Sequence, residues 1–126
     1  MKALVITDGT ESIQSIALLI KESLESFSVK ICSAQDFQGT DLLAAGVFFI
    51  GCEKSSPSSF AFLEEMLNHI NLASRKCGIF SSKEKTIKYL HNILKSCEAD
   101  TFELLTPENS NIKKTDIKKW LKPFLK

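Results

Sequence analysis

Gly46-Val47-Phe48-Phe49-Ile50-Gly51 is the stretch that decides the fold. It is fully apolar between two glycines, which is typical of a central strand that is buried on both faces of a parallel sheet. Outward from this stretch, apolar runs at residues 2–7, 28–33, 76–81 and 101–105 predict four more strands. Polar and apolar residues alternate in the last of these runs, which favours an edge strand.

Amphipathic segments separate the predicted strands. Residues 12–27 have apolar side chains at helical spacing, and residues 34–45 predict a loop with at most a short helix. Ser56-Pro57 is a suitable cap and first turn for the next helix. The apolar stripes of the remaining helices are Leu63, Met66, Leu67 and Ile70, then Ile87, Leu90, Leu94 and Cys97, and finally Ile117, Trp120, Leu121, Phe124 and Leu125.

This alternation predicts one α/β domain that spans residues 1–126. Its sheet is parallel, has helices on both faces and five strands, and is expected in the order 2-1-3-4-5 because crossover connections are right-handed. In such a sheet, ligands bind where strands 1 and 3 diverge, at the carboxyl ends of the strands.

Composition excludes several classes of protein. The 126 residues are 44% hydrophobic and 25% charged, which is incompatible with a disordered chain. No apolar run is long enough to cross a bilayer, and the apolar N-terminal run is too short for a signal peptide. We therefore expect a cytoplasmic protein that does not bind membranes. The net charge of +1 argues against a nucleic-acid-binding protein.

The charges are unevenly distributed along the chain. The first 74 residues carry four Lys and nine Asp or Glu, a net charge of −5, and the remainder carries a net charge of +6. The C-terminal lysines predict a solvated helix face, and an anionic docking face is the alternative. The basic residues concerned are Lys113, Lys114, Lys118, Lys119, Lys122 and Lys126.

Four cysteines are present, and none forms a C-x-x-C pair or has a histidine at zinc spacing. We therefore expect no metal site. Cys32, Cys77 and Cys97 are expected to be buried and slow to react with thiol reagents. Cys52 follows the central strand, at the edge of the crevice, and is expected to react faster.

Three loops at the carboxyl ends of strands 1, 3 and 4 form the candidate binding site. The first loop leads into a helix N-terminus, whose backbone N–H groups suit a phosphate. Asp8 and Glu11 would repel a dianion and are predicted to cap the helix and to serve as its first-turn acids, whereas Lys54 and Lys83 supply positive charge. The candidate residues are Thr7, Asp8, Gly9, Thr10, Glu11 and Ser12, then Cys52, Glu53, Lys54 and Ser55, and then Ser81, Ser82 and Lys83.

Over its whole length the chain resembles the flavodoxin family. The resemblance is carried by residues 2–6 with the hydroxyl-rich turn that follows, by residues 41–52 with their Gly-Cys end, and by residues 75–80. It implies a three-layer sandwich that binds flavin mononucleotide (FMN) at the residues named above. It also implies one-electron transfer to a redox protein partner, with the chemistry supplied by the flavin.

Two features keep other functions open. The family's phosphate loop runs S/T-x-T-G-x-T; Thr7 and Ser12 match its outer hydroxyls, but Gly9-Thr10 reverses the middle pair. The two loops that would flank the flavin ring contain no aromatic residue. A cofactor-free interaction module with the same fold is therefore the main alternative.

A degenerate response-regulator receiver, with Asp8 and Ser81 in its pocket, is a further alternative. The chain has no G-x-G-x-x-G, P-loop or G-x-S-x-G motif. An electron carrier or a binding module is thus favoured over a catalyst.

Overall fold

In the computed structural model, which describes residues 1–107 and 112–125, five parallel strands form one sheet in the order β2-β1-β3-β4-β5. The order predicted from the sequence is therefore confirmed. β3 lies in the middle of the sheet, and all five of its residues are buried. The strands are β1 (Lys2–Thr7), β2 (Ser28–Ser33), β3 (Val47–Gly51), β4 (Lys76–Ser81) and β5 (Asp100–Leu105).

Helices follow the strands as predicted, but some of them end earlier than the sequence pattern indicates. The helix predicted over residues 12–27 ends at Ser23, and the α4 helix ends three residues before Cys97. The prediction that Ser56-Pro57 caps a helix is wrong, because Ser56 has a φ of 49° and a 3₁₀ turn begins at Ser58. The helices are α1 (Glu11–Ser23), α2 (Gly39–Ala44), α3 (Ala61–Leu67), α4 (Glu84–Leu94) and α5 (Lys114–Leu121), with 3₁₀ turns at Ser58–Phe60 and Lys122–Leu125.

Two apolar cores lie on opposite faces of the sheet. One is formed with α1 and α5 and contains Val5 and Phe49; the other is formed with α2, α3 and α4 and contains Phe48 and Ile50. This division follows from the strand period of two, which points neighbouring side chains of β3 to opposite faces. Trp120 on α5 packs edge-on against Phe49, with ring centroids 5.6 Å apart, so this tryptophan serves the core rather than the crevice.

The parallel register brings the ends of three strands to one edge. Thr7 at the end of β1 is level with Gly51 of β3, which in turn is level with Phe80 of β4. A Cβ atom at residue 51 would overlap the Phe80 ring, so glycine is required for this close approach. The loops that follow these strands therefore meet at one place, here called the crevice: residues 7–12, 52–57 and 81–86.

Within the described residues, no helix combines the length and the apolar character needed to cross a bilayer.

Candidate functional site

Asp8 organises the first loop of the crevice. One carboxylate oxygen, Oδ1, accepts hydrogen bonds from the backbone N–H of Thr10 at 3.1 Å and from its hydroxyl at 2.7 Å. The other oxygen, Oδ2, accepts the backbone N–H of Glu53 at 2.9 Å. Gly9 allows this tight turn with a φ of 83°, a conformation that other residues rarely adopt. Asp8 thus closes its own turn and ties the loop after β1 to the loop after β3.

Glu53 is the centre of the crevice. Its carboxylate accepts the Ser12 hydroxyl at 2.6 Å and the Ser82 hydroxyl at 2.8 Å. Its backbone carbonyl accepts the Thr86 hydroxyl at 3.0 Å, in the first turn of α4. One residue from the loop after β3 therefore bonds to the loops after both β1 and β4.

The carboxylate of Glu53 lies beside the N-terminus of α1. Gln14 has the first N–H that is bonded within this helix, to Thr10 at 2.9 Å, so the N–H groups of Glu11, Ser12 and Ile13 precede the hydrogen-bonded ladder. A helix N-terminus carries partial positive charge and favours an anion. Because it accepts a hydrogen bond from Ser12, the Glu53 carboxylate is itself the anion beside this helix N-terminus.

The three hydroxyls predicted to hold a phosphate all donate to protein acceptors. The Thr10 hydroxyl donates to Asp8 and the Ser12 hydroxyl donates to Glu53, both short bonds to carboxylates. The Thr7 hydroxyl donates to the Gln14 side chain at 3.4 Å. A flavin phosphate would have to displace two carboxylates and then lie beside them. The residues of the crevice, as arranged here, do not fit the phosphate of FMN.

The structure brings the other candidate residues to the crevice with different degrees of exposure. Lys54 and Lys83 are exposed, as is Glu11, which lies in the first turn of α1 as expected. Thr10, rather than Asp8, is the residue that precedes α1 as its cap. Ser81 is buried and its hydroxyl accepts the backbone N–H of Lys83 at 3.3 Å, which shapes the entry to α4.

Cys52 corrects an expectation. We expected this thiol at the edge of the crevice, but it is fully buried, and burial raises its pKa well above the ordinary range. Cys32 on the edge strand β2 was expected to be buried but is partly exposed, and its partial burial raises its pKa to about 11. Cys77 and Cys97 are buried as expected. The crevice therefore contains no accessible thiol among its described residues.

Sequence reasoning missed two participants in the crevice. Thr86 lies on α4, where it would be assigned to a helix surface, yet it is buried and bonds to the Glu53 carbonyl. Gln14 lies one turn into α1 and accepts the Thr7 hydroxyl. Their positions in the sequence could have indicated both residues, because each lies within the first four residues of a helix that begins at the crevice. Within the described residues, no three His, Cys, Asp or Glu side chains come close enough to hold a metal ion.

Comparison with solved structures returns flavodoxins. The chain is similar to a short-chain flavodoxin associated with a non-canonical PDU bacterial microcompartment, with a TM-score of 0.78, 13% identity and coverage of 100% of this chain and 99% of that chain. It is also similar to oxidised flavodoxin 2 from Bacillus cereus (TM-score 0.75, 20% identity, 99% and 98% covered). A third similar structure is the Fusobacterium nucleatum flavodoxin bound to flavin mononucleotide (TM-score 0.72, 9% identity, 98% and 96% covered).

No protein-family model and no curated protein matches the sequence. The similarity therefore lies in the three-dimensional structure, where it extends over the full length of the sheet and its helices. At these identities it shows the fold and leaves the function to the residues of the site. The chain has the flavodoxin-like α/β fold.

Proposed function

We propose that this protein is a flavodoxin-like interaction module that works without a flavin in its crevice. The observation that supports this proposal is the set of hydrogen bonds made by Glu53, whose carboxylate accepts from Ser12 and Ser82. The Ser12 hydroxyl is one of those that a phosphate would need, and a carboxylate accepts such bonds strongly. The two loops that would flank a flavin ring add only small or charged side chains.

FMN binding with one-electron transfer to a redox protein is the second candidate function. The flavodoxin of Fusobacterium nucleatum, which has this fold, binds flavin mononucleotide. The N-terminus of α1 also remains oriented toward the crevice, as phosphate binding requires. For this function, Glu53 would have to leave Ser12 when the flavin enters.

A fluorescence titration distinguishes the two functions. FMN is fluorescent when free and is quenched when a protein stacks or hydrogen-bonds its ring, and riboflavin serves as a control because it lacks the phosphate. We expect no saturable quenching of either flavin by the wild-type protein up to millimolar flavin. Saturable quenching by FMN at micromolar concentration would overturn the proposal and establish the second function.

Two variants distinguish the candidate functions further. Asp8→Asn and Glu53→Gln each remove one negative charge from the crevice, and Glu65→Gln on α3 is the matched control. If FMN binds, Asp8→Asn should tighten it by on the order of 1 kcal/mol, because the charge lies partly exposed near the phosphate. For the interaction module, neither variant binds flavin. Heat released with Mg²⁺ in the wild type that is lost in Asp8→Asn would instead support the degenerate receiver.

A further inference from the structure

An apolar groove lies between α2 and α3, away from the crevice. We call it the α2–α3 groove; its volume is about 440 Å³. Leu43 and Phe62, from its two walls, are 53% and 49% exposed, which is unusual for two large apolar side chains that face one depression. Its lining consists of Leu43, Phe62, Met66 and Ile70, together with Gly39, Glu65 and His69.

The groove exists because α3 has more apolar residues than the core uses. Leu63 and Leu67 are fully buried and pack toward the sheet. Phe62 and Met66 precede these two residues by one position and form a second stripe at i, i+4, in which Phe62 is half exposed and Met66 is partly buried against the core. A helix needs only one apolar stripe to pack on a sheet, so the exposed part of Phe62 is available to bind elsewhere.

The walls of the groove are held in place by contacts beneath it. The Phe62 ring packs against the buried ring of Phe37 at a centroid distance of 5.5 Å. The Arg75 guanidinium donates to the backbone carbonyls of Leu43 at 3.2 Å and of Ala45 at 2.5 Å, which fixes the end of α2. The groove is thus formed before any partner arrives, and binding needs little ordering of its walls.

The charge around the groove has one dominant sign. Residues 34–72 carry five acidic residues and one lysine, a formal net charge of −4. Glu65 lines the groove itself, and Glu64 is its neighbour on α3. Asp41 of α2 is paired with Lys30 at 2.9 Å, and Arg75 bonds to carbonyls, so Glu65, which has no ion pair within the described residues, sets the charge on the α3 side of the groove.

We propose that the α2–α3 groove is the docking surface for an amphipathic helix of a partner protein, whose apolar stripe is flanked by Lys or Arg. The inference rests on the proposed function, because an interaction module needs such a surface. Apolar side chains of the partner would enter between Leu43 and Phe62, as helices do in other apolar grooves. Basic flanking residues would face Glu65, the acid that lines the groove. A second copy docked by two-fold symmetry would instead set acidic groups against acidic groups.

The probe for this proposal is a fluorescein-labelled peptide of leucine and lysine with the leucines at helical spacing. Its controls are a peptide of the same composition in scrambled order and a peptide of leucine and glutamate. In fluorescence anisotropy titrations, the leucine–lysine helix should bind the wild-type protein, and both controls should bind at least about tenfold more weakly. Absence of saturable binding, or equal binding of the scrambled peptide, would overturn the proposal.

Variants locate the binding. The double variant Leu43→Ser with Phe62→Ser should weaken peptide binding by about tenfold or more. Leu18→Ser is the matched control, because Leu18 is 55% exposed on α1, on the opposite face of the sheet. All three substitutions lie at exposed positions, so circular dichroism should show both variants folded. An equal loss in the control would mean that the peptide binds without using the groove.

Sedimentation equilibrium tests the competing occupant. The wild-type protein should remain monomeric at the concentrations used for the titrations. A concentration-dependent dimer that disappears in the Leu43→Ser, Phe62→Ser variant would assign the groove to a second copy and overturn the proposal. The same samples are titrated with FMN, so that flavin binding, which contradicts the proposed function, is recorded separately from the peptide result.

Discussion

At the crevice, side chains from three loops bond to one another, whereas in the α2–α3 groove apolar side chains from two helices face solvent. Glu53 satisfies Ser12 and Ser82, and Asp8 satisfies Thr10 and the Glu53 backbone. The groove has no comparable internal partner for Phe62 or Leu43 on its open side, within the described residues. In this chain, the position where the fold generally binds ligands is therefore linked by internal hydrogen bonds, and a groove with exposed apolar side chains lies elsewhere.

The crevice and the groove therefore contribute differently to stability and to binding. Hydrogen bonds to charged groups that link two loops stabilise the folded state. Exposed apolar side chains contribute little to stability, and their value lies in what they bind. Substitutions at the crevice should therefore change stability, and substitutions in the groove should change binding.

The largest expected difference is in thiol labelling. Cys52 lies beneath the crevice and is fully buried, whereas Cys32 on the edge strand is partly exposed. A closed crevice must open before Cys52 reacts, so its labelling should be slower than that of Cys32 by on the order of a hundredfold. Mass spectrometry of a time course with iodoacetamide measures both rates. Equal labelling rates would mean that the crevice opens freely. The crevice would then not differ from the groove in its access to solvent.

The next effect concerns stability. Glu53→Ala leaves Ser12 and Ser82 without their acceptor and should lower the free energy of unfolding by about 2 kcal/mol. Glu65→Ala removes the same group from the exposed groove and should change it by less than about 0.5 kcal/mol. Urea denaturation of the two variants provides the comparison. If the two losses are the same, the crevice network does not hold the loops together.

Alkaline pH should weaken the protein through its buried thiols. Burial raises the pKa of Cys52 and Cys77, so the folded state keeps them neutral while the unfolded state ionises them near pH 9. Stability is therefore unaffected by these groups below that pH and falls above it. The slope is up to about 1.4 kcal/mol per pH unit for each thiol. Cys52→Ala should make the decline of the urea midpoint shallower, and Phe62→Ser should leave the slope unchanged.

The smallest expected effect is on the groove itself. Phe62→Ser should lower the free energy of unfolding by about 1 kcal/mol, because only half of the side chain is buried. The same variant should still weaken the leucine–lysine peptide. A loss of stability comparable to that of a core phenylalanine, about 3 kcal/mol or more, would show that Phe62 belongs to the core.

The sheet could be predicted from the sequence because its strands carry strong local signals. The run at residues 46–51 is apolar throughout, and β3 is buried throughout. Because crossover connections are right-handed, the strand order that the structure shows was also the order expected from the sequence. Topology also placed the loops at residues 7–12, 52–55 and 81–83 together, which is why the site residues could be named.

The bonds inside the crevice could not be predicted. Ser12, Ser82 and Glu53 are far apart in the sequence, and which hydroxyl reaches which carboxylate depends on side-chain rotamers in the folded state. The burial of Cys52 was missed because a residue at the end of a strand has no periodic signal of its own. The groove was missed because Met66 and Ile70 were assigned to the core stripe of α3, and the exposure of Leu43 on the short helix α2 has no periodic signal in the sequence.

Amide chemical-shift mapping by NMR tests the central claim most directly, because it observes the crevice and the groove in one sample. With the leucine–lysine peptide, the account predicts shifts in α2 and α3 and few elsewhere. With FMN at millimolar concentration, it predicts no saturable shifts at Thr10, Ser12, Glu53 or Ser82. Saturable shifts at these four residues with FMN, and none in α2 and α3 with the peptide, would contradict it.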